Sequence, residues 1–341
     1  MTSTTLKALL SRFQDLNILV IGDFFLDRYL MIDPELAEKS LETGLEARQV
    51  VQIRNSPGAA GTVTSNLSAL GVGRVRALGV IGKDGHGYDL KQGLEETSVD
   101  TSRLIESDRR FTPTYTKPIS SKSGKELERL DVKNREVLPK DIEGRIISEL
   151  TDLAPDSDGV IVLDQVQEQD CGVVTSRVRE ALAEIAMSSP NTIFFADSRT
   201  RIGQFRQVIT KPNAHEAVRA EYPDFEKTPE LPLLESCIRS FSKRISRPVY
   251  ITLGAEGILC DDLESVHHIP GIPVSEPIDV VGAGDSTSAA IVSALCAGAS
   301  YLNAGMLGVL VSSITIQQLG TTGTAKPEEI MARFIEVEHL L

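Results

Sequence analysis

Apolar residues recur along this chain in three rhythms. The first is the short unbroken run: Asn17–Gly22, Val75–Ile81, Gly159–Leu163, Thr192–Ala196 and Val249–Thr252. Runs of this length, several closed by Gly or a small polar residue, predict strands buried on both faces of a parallel sheet. The second is helical. Leu6, Leu9, Leu10 and Phe13 share one face of a predicted helix over 1–15, and similar spacing covers Thr62–Leu70, Tyr88–Thr97, Lys140–Leu150, Gly172–Met187 and Leu233–Ser246. Strand and helix alternate, so the chain reads as α/β: one three-layer α/β/α domain over residues 1–341 with a mostly parallel central sheet. The third rhythm alternates polar with apolar over Tyr29–Arg54 and Thr112–Val132, as in Gln49-Val-Val-Gln-Ile-Arg54. Half-exposed strands have this pattern, and the two segments predict a small inserted β-lid. Tyr222–Leu234, with three prolines, reads as a surface loop.

Composition narrows the classes. The chain has 341 residues, 41% hydrophobic and 5% aromatic with no Trp, so its core is expected to be aliphatic. A net charge of −13 argues against nucleic acid or an anionic membrane as the main partner, since both attract clustered Lys and Arg. Ser286–Ile316 is the most apolar tract, but Asn303 and several Gly, Ser and Thr interrupt it; it predicts two buried helices, not a membrane span. Met1–Leu10 lacks a signal-peptide pattern, and Cys171, Cys237, Cys260 and Cys296 form no Cys-x-x-Cys pair. A cytoplasmic protein with reduced, buried thiols is expected.

In a parallel α/β sheet, ligands bind beyond the carboxyl ends of the strands. The strongest chemical signal is Asp279-Val-Val-Gly-Ala-Gly-Asp285, which opens a helix of small residues. Gly282 and Gly284 let the backbone turn sharply, and the unpaired N–H groups of the first helical turn make an anion site. A carboxylate in that turn suits a general base, with the turn holding a phosphoryl group. Spacing alone equally allows Asp285 to be an ordinary acid at a helix start. Asn213 and Glu216 have the spacing of a capping box. Asp197, after a strand, is well placed for a site or a turn; His215 reads as structural, and His267-His268 as a strand-edge pair.

The turn at Gly282–Asp285 resembles the C-terminal signature of the ribokinase/PfkB carbohydrate kinases. Further matches follow in order: Gly22-Asp-Phe-Phe-Leu-Asp-Arg-Tyr29, Pro57-Gly-Ala-Ala-Gly61 continuing to Gly71, Gly79-Val-Ile-Gly-Lys-Asp-Gly-His-Gly87, Pro212-Asn-Ala-His-Glu216 and Thr252-Leu-Gly-Ala-Glu-Gly257. Within the family, Pro113-Thr-Tyr-Thr-Lys117, Arg129-Leu-Asp131 and Leu319-Gly-Thr-Thr322 are similar to heptose 7-phosphate kinases, matched over the kinase domain alone. The resemblance implies a ribokinase-like fold and ATP-dependent phosphorylation of a hydroxyl on a sugar or sugar phosphate. It implies Asp285 as base and the N–H groups of Gly282, Ala283 and Gly284 as the phosphoryl cradle. Asp27, with Asp23 second to it, would bind acceptor hydroxyls beside Gly58, Ala59 and Thr62. Lys117 and Arg129 would meet a substrate phosphate. Asn213 and Glu216 would orient Mg²⁺ through water. Thr252, Gly254 and Gly257 would shape or contact the nucleotide-phosphate site, with Gly320 near the adenine. Asp279 is a candidate for a monovalent-cation site, K⁺ in many relatives. A homodimer paired through the lid is also implied.

Three departures from that pattern bear on the acceptor. Ala59 and Thr62 stand where the family carries Gly and Asn. Leu163-Asp-Gln-Val-Gln-Glu-Gln169 lacks the Lys that follows the central strand in heptose kinases, unless Lys117 or Lys211 substitutes. Glu35–Glu46 is acidic for a lid over a phosphorylated sugar. Two readings follow: a kinase with an altered acceptor, a nucleoside included, or a non-catalytic binding or scaffolding protein that keeps the fold.

Overall fold

The computed structural model describes residues 1–340. The apolar runs form strands β1 (Asn17–Gly22), β4 (Arg74–Gly82), β8 (Gly159–Asp164), β9 (Ile193–Ser198) and β11 (Val249–Thr252). Strands β5 (Val99–Ser107), β10 (Ile209–Thr210), β12 (Ile258–Asp261) and β13 (Val266–Ile269) complete a nine-stranded sheet in the order β13-β12-β11-β10-β9-β8-β1-β4-β5. It is parallel from β5 to β11 and antiparallel from β11 to β13. Side chains alternate across β1: Ile18 and Val20 enter one apolar core, Leu19 and Ile21 the other. Fully buried strands of this kind need helices on both faces. One face carries α1 (Ser3–Ser11), α2 (Ala60–Ala69), α3 (Gly85–Glu96), α8 (Ala283–Cys296), α9 (Tyr301–Thr315) and α10 (Pro327–Val337). The other carries α4 (Lys140–Leu153), α5 (Ser176–Ser188), α6 (Ala214–Glu221) and α7 (Leu231–Ile245). The predicted three-layer α/β/α architecture is thus present. Helices α8 and α9 account for the apolar tract after Asp285, and among the described residues no helix is long and apolar enough to cross a membrane.

The lid is a separate four-stranded sheet, ordered β3-β2-β6-β7. Its strands are β2 (Phe24–Lys39), β3 (Glu46–Ala59), β6 (Thr114–Ser120) and β7 (Leu130–Val132). Both long strands run further into the body than the alternation suggested. Phe24, Phe25 and Leu26 are all buried, which hides the two-residue rhythm where β2 leaves the core. The acidic stretch Glu35–Glu46 is exposed at the far end of this hairpin, where Glu35 pairs with Lys122 and Glu46 with Arg48. It does not line the cavity described below, so it sets no charge there.

Smaller differences have local causes. α7 begins at Leu231, inside the segment expected to be a loop, because Pro232 sits in its first turn, where a missing N–H costs nothing. α5 begins at Ser176 instead of Gly172, capped by the Thr175 hydroxyl on the Val178 N–H (3.2 Å). Three cysteines are buried and Cys296 is partly exposed; all four are free thiols.

Candidate functional site

The parallel strands divide at β1, whose neighbours are β4 on one side and β8 on the other. Such a switch point leaves a crevice beyond the carboxyl ends. A cavity of about 410 Å³ lies there, walled by the ends of β1, β8 and β9, the body end of the lid and the start of α8. Of the residues singled out in the sequence, Asp23, Asp27, Ala59, Thr62, Lys117, Arg129, Gly282 and Asp285 line it.

The α8 turn forms at Gly282, whereas Gly284, expected to share in it, is helical with ordinary room for a Cβ. Gly282 is left-handed, with φ 82° and ψ 0°, and a Cβ there would stand 3.2 Å from Thr322 and 3.4 Å from Thr62. A left-handed residue followed by helical ones aims successive N–H groups into one concavity, an anion nest. One predicted donor is already engaged: Ala283 gives its N–H to the Val280 carbonyl at 3.2 Å. The N–H groups of Gly282 and Gly284 have no protein acceptor among the described residues. Asp279 braces the turn from below, its Oδ1 accepting the Val281 N–H and its Oδ2 the Gly320 N–H, both at 3.1 Å. The Gly320 carbonyl accepts from Arg54 of β3 at 3.0 Å, which ties this loop to the lid.

Asp285 belongs to a cluster that the sequence only hinted at. Lys211 is buried with its Nζ 2.8 Å from Asp197 Oδ2, beside Gly284, where an added Cβ would meet it at 3.6 Å. Desolvation, then the nearby Asp197 charge, raises the Asp285 pKa to about 7. The same two causes raise Glu216 to about 7. Burial works against the Lys211 ammonium, but the Asp197 carboxylate prevails and its pKa is raised. Three carboxylates here face the two cations Lys211 and Arg199. A divalent cation held through water would offset that surplus; among the described residues no three acidic, His or Cys side chains are grouped to hold a metal ion directly.

Asn213 and Glu216 form a full capping box: the Glu216 N–H donates to Asn213 Oδ1 (2.9 Å) and the Asn213 N–H to Glu216 Oε2 (2.8 Å). The cap leaves Glu216 half-buried with Oε1 free of protein donors among the described residues. Thr252 lies alongside, bridged to Asn213 and donating its N–H to the Pro212 carbonyl at 3.0 Å. Gly254 opens the following turn with open space at its Cβ position. Gly257 closes it, where a Cβ would fall 2.1 Å from the Ile269 carbonyl oxygen. His267 and His268 lie on the edge strand β13, bonded to Asp262 and to the Glu256 carbonyl.

Across the cavity, Asp27 Oδ1 pairs with Lys117 Nζ at 3.3 Å. Gly58 faces this pair, and any side chain there would strike Asp27 Oδ2 at 2.4 Å. Arg129 holds Asp131 through two bonds of 2.7 and 2.8 Å and stacks on Tyr115, 4.3 Å from the ring centre. Asp23 differs from Asp27. It is buried, and it accepts three backbone N–H bonds, from Gln165, Val166 and Val173, at 2.8 to 3.0 Å. It therefore anchors the loop that follows β8, whose Gln165–Glu168 lines the wall in place of the missing Lys. Burial nonetheless leaves the Asp23 pKa raised, since it outweighs those bonds. Arg110, Lys133, Arg199 and Thr322 also line the cavity and were not singled out. Arg199 alone carried a usable signal, as a polar residue directly after a strand.

Comparison with known proteins agrees with this geometry. The description "pfkB family carbohydrate kinase" matches residues 20–328. The bifunctional protein HldE of Hyphomonas neptunium is 29% identical over 338 residues, 97% of this chain and 66% of that protein. The chain thus spans about two thirds of the length of the curated relatives it matches. Among solved structures, phosphofructokinase-2 from Escherichia coli in complex with potassium superposes with a TM-score of 0.73 at 18% identity, covering 95% of this chain and 99% of that one. Arabidopsis thaliana ribokinase complexed with ribose and ATP gives 0.69 at 17% identity, covering 93% and 98%. Both show the ribokinase-like fold.

Proposed function

Because the chain belongs to the pfkB family of carbohydrate kinases, we propose that it transfers the γ-phosphoryl group of ATP to a hydroxyl of a phosphorylated sugar, with Asp285 as general base. One observation carries this reading: a carboxylate whose pKa stands near 7 faces the cavity from the same turn that presents two free N–H groups. Near neutral pH such a carboxyl takes up a proton readily and is still ionised in a large fraction of molecules. The acceptor hydroxyl, held between Asp27 and Asp285, gives its proton to Asp285 as its oxygen bonds to the γ-phosphorus. The bond to the β,γ-bridging oxygen breaks, and ADP leaves with that electron pair. Gly282 and Gly284 donate to the transferring group; Ala283 joins them only by releasing Val280.

Asn213, Glu216 and Thr252 form the nucleotide side of the site, with Gly254 and Gly257 shaping its turn. Asn213 and Glu216 would hold Mg²⁺ there through water, and its charge would offset that of the phosphates. K⁺ is proposed beside the loop that Asp279 braces, with Gly320 at its border. On the acceptor side, Lys117 and Arg129 offer charge to a substrate phosphate. The resemblance to heptose 7-phosphate kinases makes such heptoses the first acceptors to try. The exposed apolar residues Val50, Val51 and Ile53 on β3 support a homodimer joined through the lid.

The test is an ADP-release assay with Mg²⁺ and K⁺ across matched free and phosphorylated sugars, including heptose 7-phosphate and fructose 6-phosphate. Turnover with a phosphorylated member and none with its free counterpart is expected. A folded, ATP-binding protein that transfers to no member of the panel would point to a binding protein instead.

A further inference from the structure

The loop after β8 lacks the expected cation, and the sequence offered Lys117 or Lys211 as substitutes. Both are occupied: Lys117 by Asp27 at 3.3 Å and Lys211 by Asp197 at 2.8 Å. The other cations lining the cavity are engaged as well, with one exception. Arg110 donates to the carbonyls of Glu136 (2.8 Å) and Cys171. Arg129 is held twice by Asp131, and Lys133 lies 3.9 Å from the same carboxylate. Arg199 alone has neither a carboxylate within 4.0 Å nor a side-chain hydrogen bond among the described residues.

Its backbone is fixed from beneath. β8 and β9 run in register with Asp164 opposite Ser198, so Arg199 emerges level with the start of the Lys-less loop. The Arg199 N–H donates to the Asp164 carbonyl at 3.1 Å. Ser198 Oγ donates to Asp164 Oδ2 at 2.6 Å, and the Arg201 N–H donates to Ser198 Oγ at 2.9 Å. Arg201 turns inward, its Nη1 3.3 Å from Asp164 Oδ1 and 2.8 Å from the Val166 carbonyl. With Ser198 before it and Arg201 two residues on both held in the interior, Arg199 lines the cavity that Asp285 and Gly282 share.

We propose that Arg199 is a catalytic residue, a guanidinium that contacts the γ-phosphoryl group of ATP from β9 and takes the place of the absent lysine on β8. An unpaired arginine offers a planar fork of donors that fits phosphate oxygens in pairs. Its charge also lies close enough to lower the pKa values of Asp285 and Glu216 against their desolvation.

The inference rests on the phosphotransfer reading, and binding measurements that need no acceptor separate the two. Isothermal titration of Mg²⁺-ATP and Mg²⁺-ADP should be made on the intact chain and on Arg199→Ala, Arg199→Gln and Arg199→Lys, with unfolding midpoints as a check of folding. Losing charge-assisted bonds to the γ-phosphoryl weakens ATP binding on the order of 10- to 100-fold in the Ala and Gln variants. ADP binding stays unchanged, and the Lys variant recovers part of the loss. Equal weakening of ATP and ADP, or no change in either, overturns the role of Arg199. An unaltered chain that binds neither nucleotide overturns the phosphotransfer reading and this inference with it.

Discussion

Replacing Asp285 by Asn should stabilise the free protein while it abolishes turnover. The amide keeps the size and polarity of the carboxyl but carries no charge at any pH. In the native turn the Asp285 pKa stands near 7, against 3.8 for an unperturbed carboxyl, because burial and then Asp197 oppose ionisation. A raised native pKa makes ionisation cost stability. Below about pH 4 the group is protonated in both states, and the wild type suffers no penalty relative to Asn. Between about pH 4 and 7 the unfolded chain ionises first and the penalty grows; above 7 it is constant. The full shift of roughly 3 pKa units corresponds to about 4 kcal/mol. Cavity water and the adjacent Lys211 screen part of it, so a realised gain of about 1–2 kcal/mol is expected above pH 7. At ~2.1 cal/mol/K per residue over this length, each kcal/mol raises the midpoint by about 1.4 °C. Melting the two proteins in parallel at pH 4.5, 6 and 8 measures the difference. The Asn variant should melt roughly 1.5–3 °C higher at pH 8, with the gap closing toward pH 4.5. Turnover with an accepted sugar should fall by about 10²–10⁴, the usual contribution of a general base. A variant less stable than wild type at pH 8, or one that retains turnover, refutes the assignment.

Other perturbations test neighbouring parts of the site. With Asp285 and Glu216 both near pKa 7 and both needed ionised, kcat/KM should rise with pH through about 7. A flat profile between pH 5.5 and 8 would remove both from the mechanism. Ala59 sits at φ 52° and ψ −117°, a conformation suited to Gly. Ala59→Gly should therefore stabilise the chain by about 1 kcal/mol in urea unfolding; a loss of stability would mean that the position is unstrained. Val51→Glu combined with Ile53→Glu should turn a sedimenting dimer into a monomer with unchanged unfolding, whereas a wild-type monomer at micromolar concentration would exclude the lid interface.

Some of this molecule is legible in its sequence because burial is nearly uniform there. β1, β4, β8, β9 and β11 sit between helices on both faces, so each reads as an apolar run. The α8 turn is legible because the left-handed backbone at Gly282 favours glycine. β13 is not, since this four-residue edge strand carries His267 and His268 and is buried only at Ile269, and short β12 ends on Asp261. The chemistry of Glu216 was half legible. Its capping box is local, but its raised pKa comes from Asp197 and the interior beside it, which only the fold supplies. Arg199 was legible only as a polar residue after a strand. That it points into the cavity depends on Asp164 holding Ser198 and Arg201, a contact between two strands.

The acceptor pocket follows a different logic from the transfer centre. Lys117 and Asp27 pair at a half-buried site, and a ligand that separated them would leave two partly desolvated charges to satisfy. Arg129 and Asp131 are neighbours two residues apart on an open rim, where such a pair is worth about 0–1 kcal/mol. A substrate phosphate can therefore displace Asp131 from Arg129 cheaply, with Lys133 at hand to share the anion. Asp27 is left in place to accept hydroxyl donors while Lys117 holds it. A free sugar brings no anion to the rim and leaves the Arg129–Asp131 pair intact, so it forgoes the one exchange that this pocket makes at small cost. On the proposed reading, Ala59 and Thr62, which carry no charge, would act on the shape of the carbohydrate between these ends, while the departure at the missing Lys falls on the phosphoryl end, where Arg199 lines the cavity.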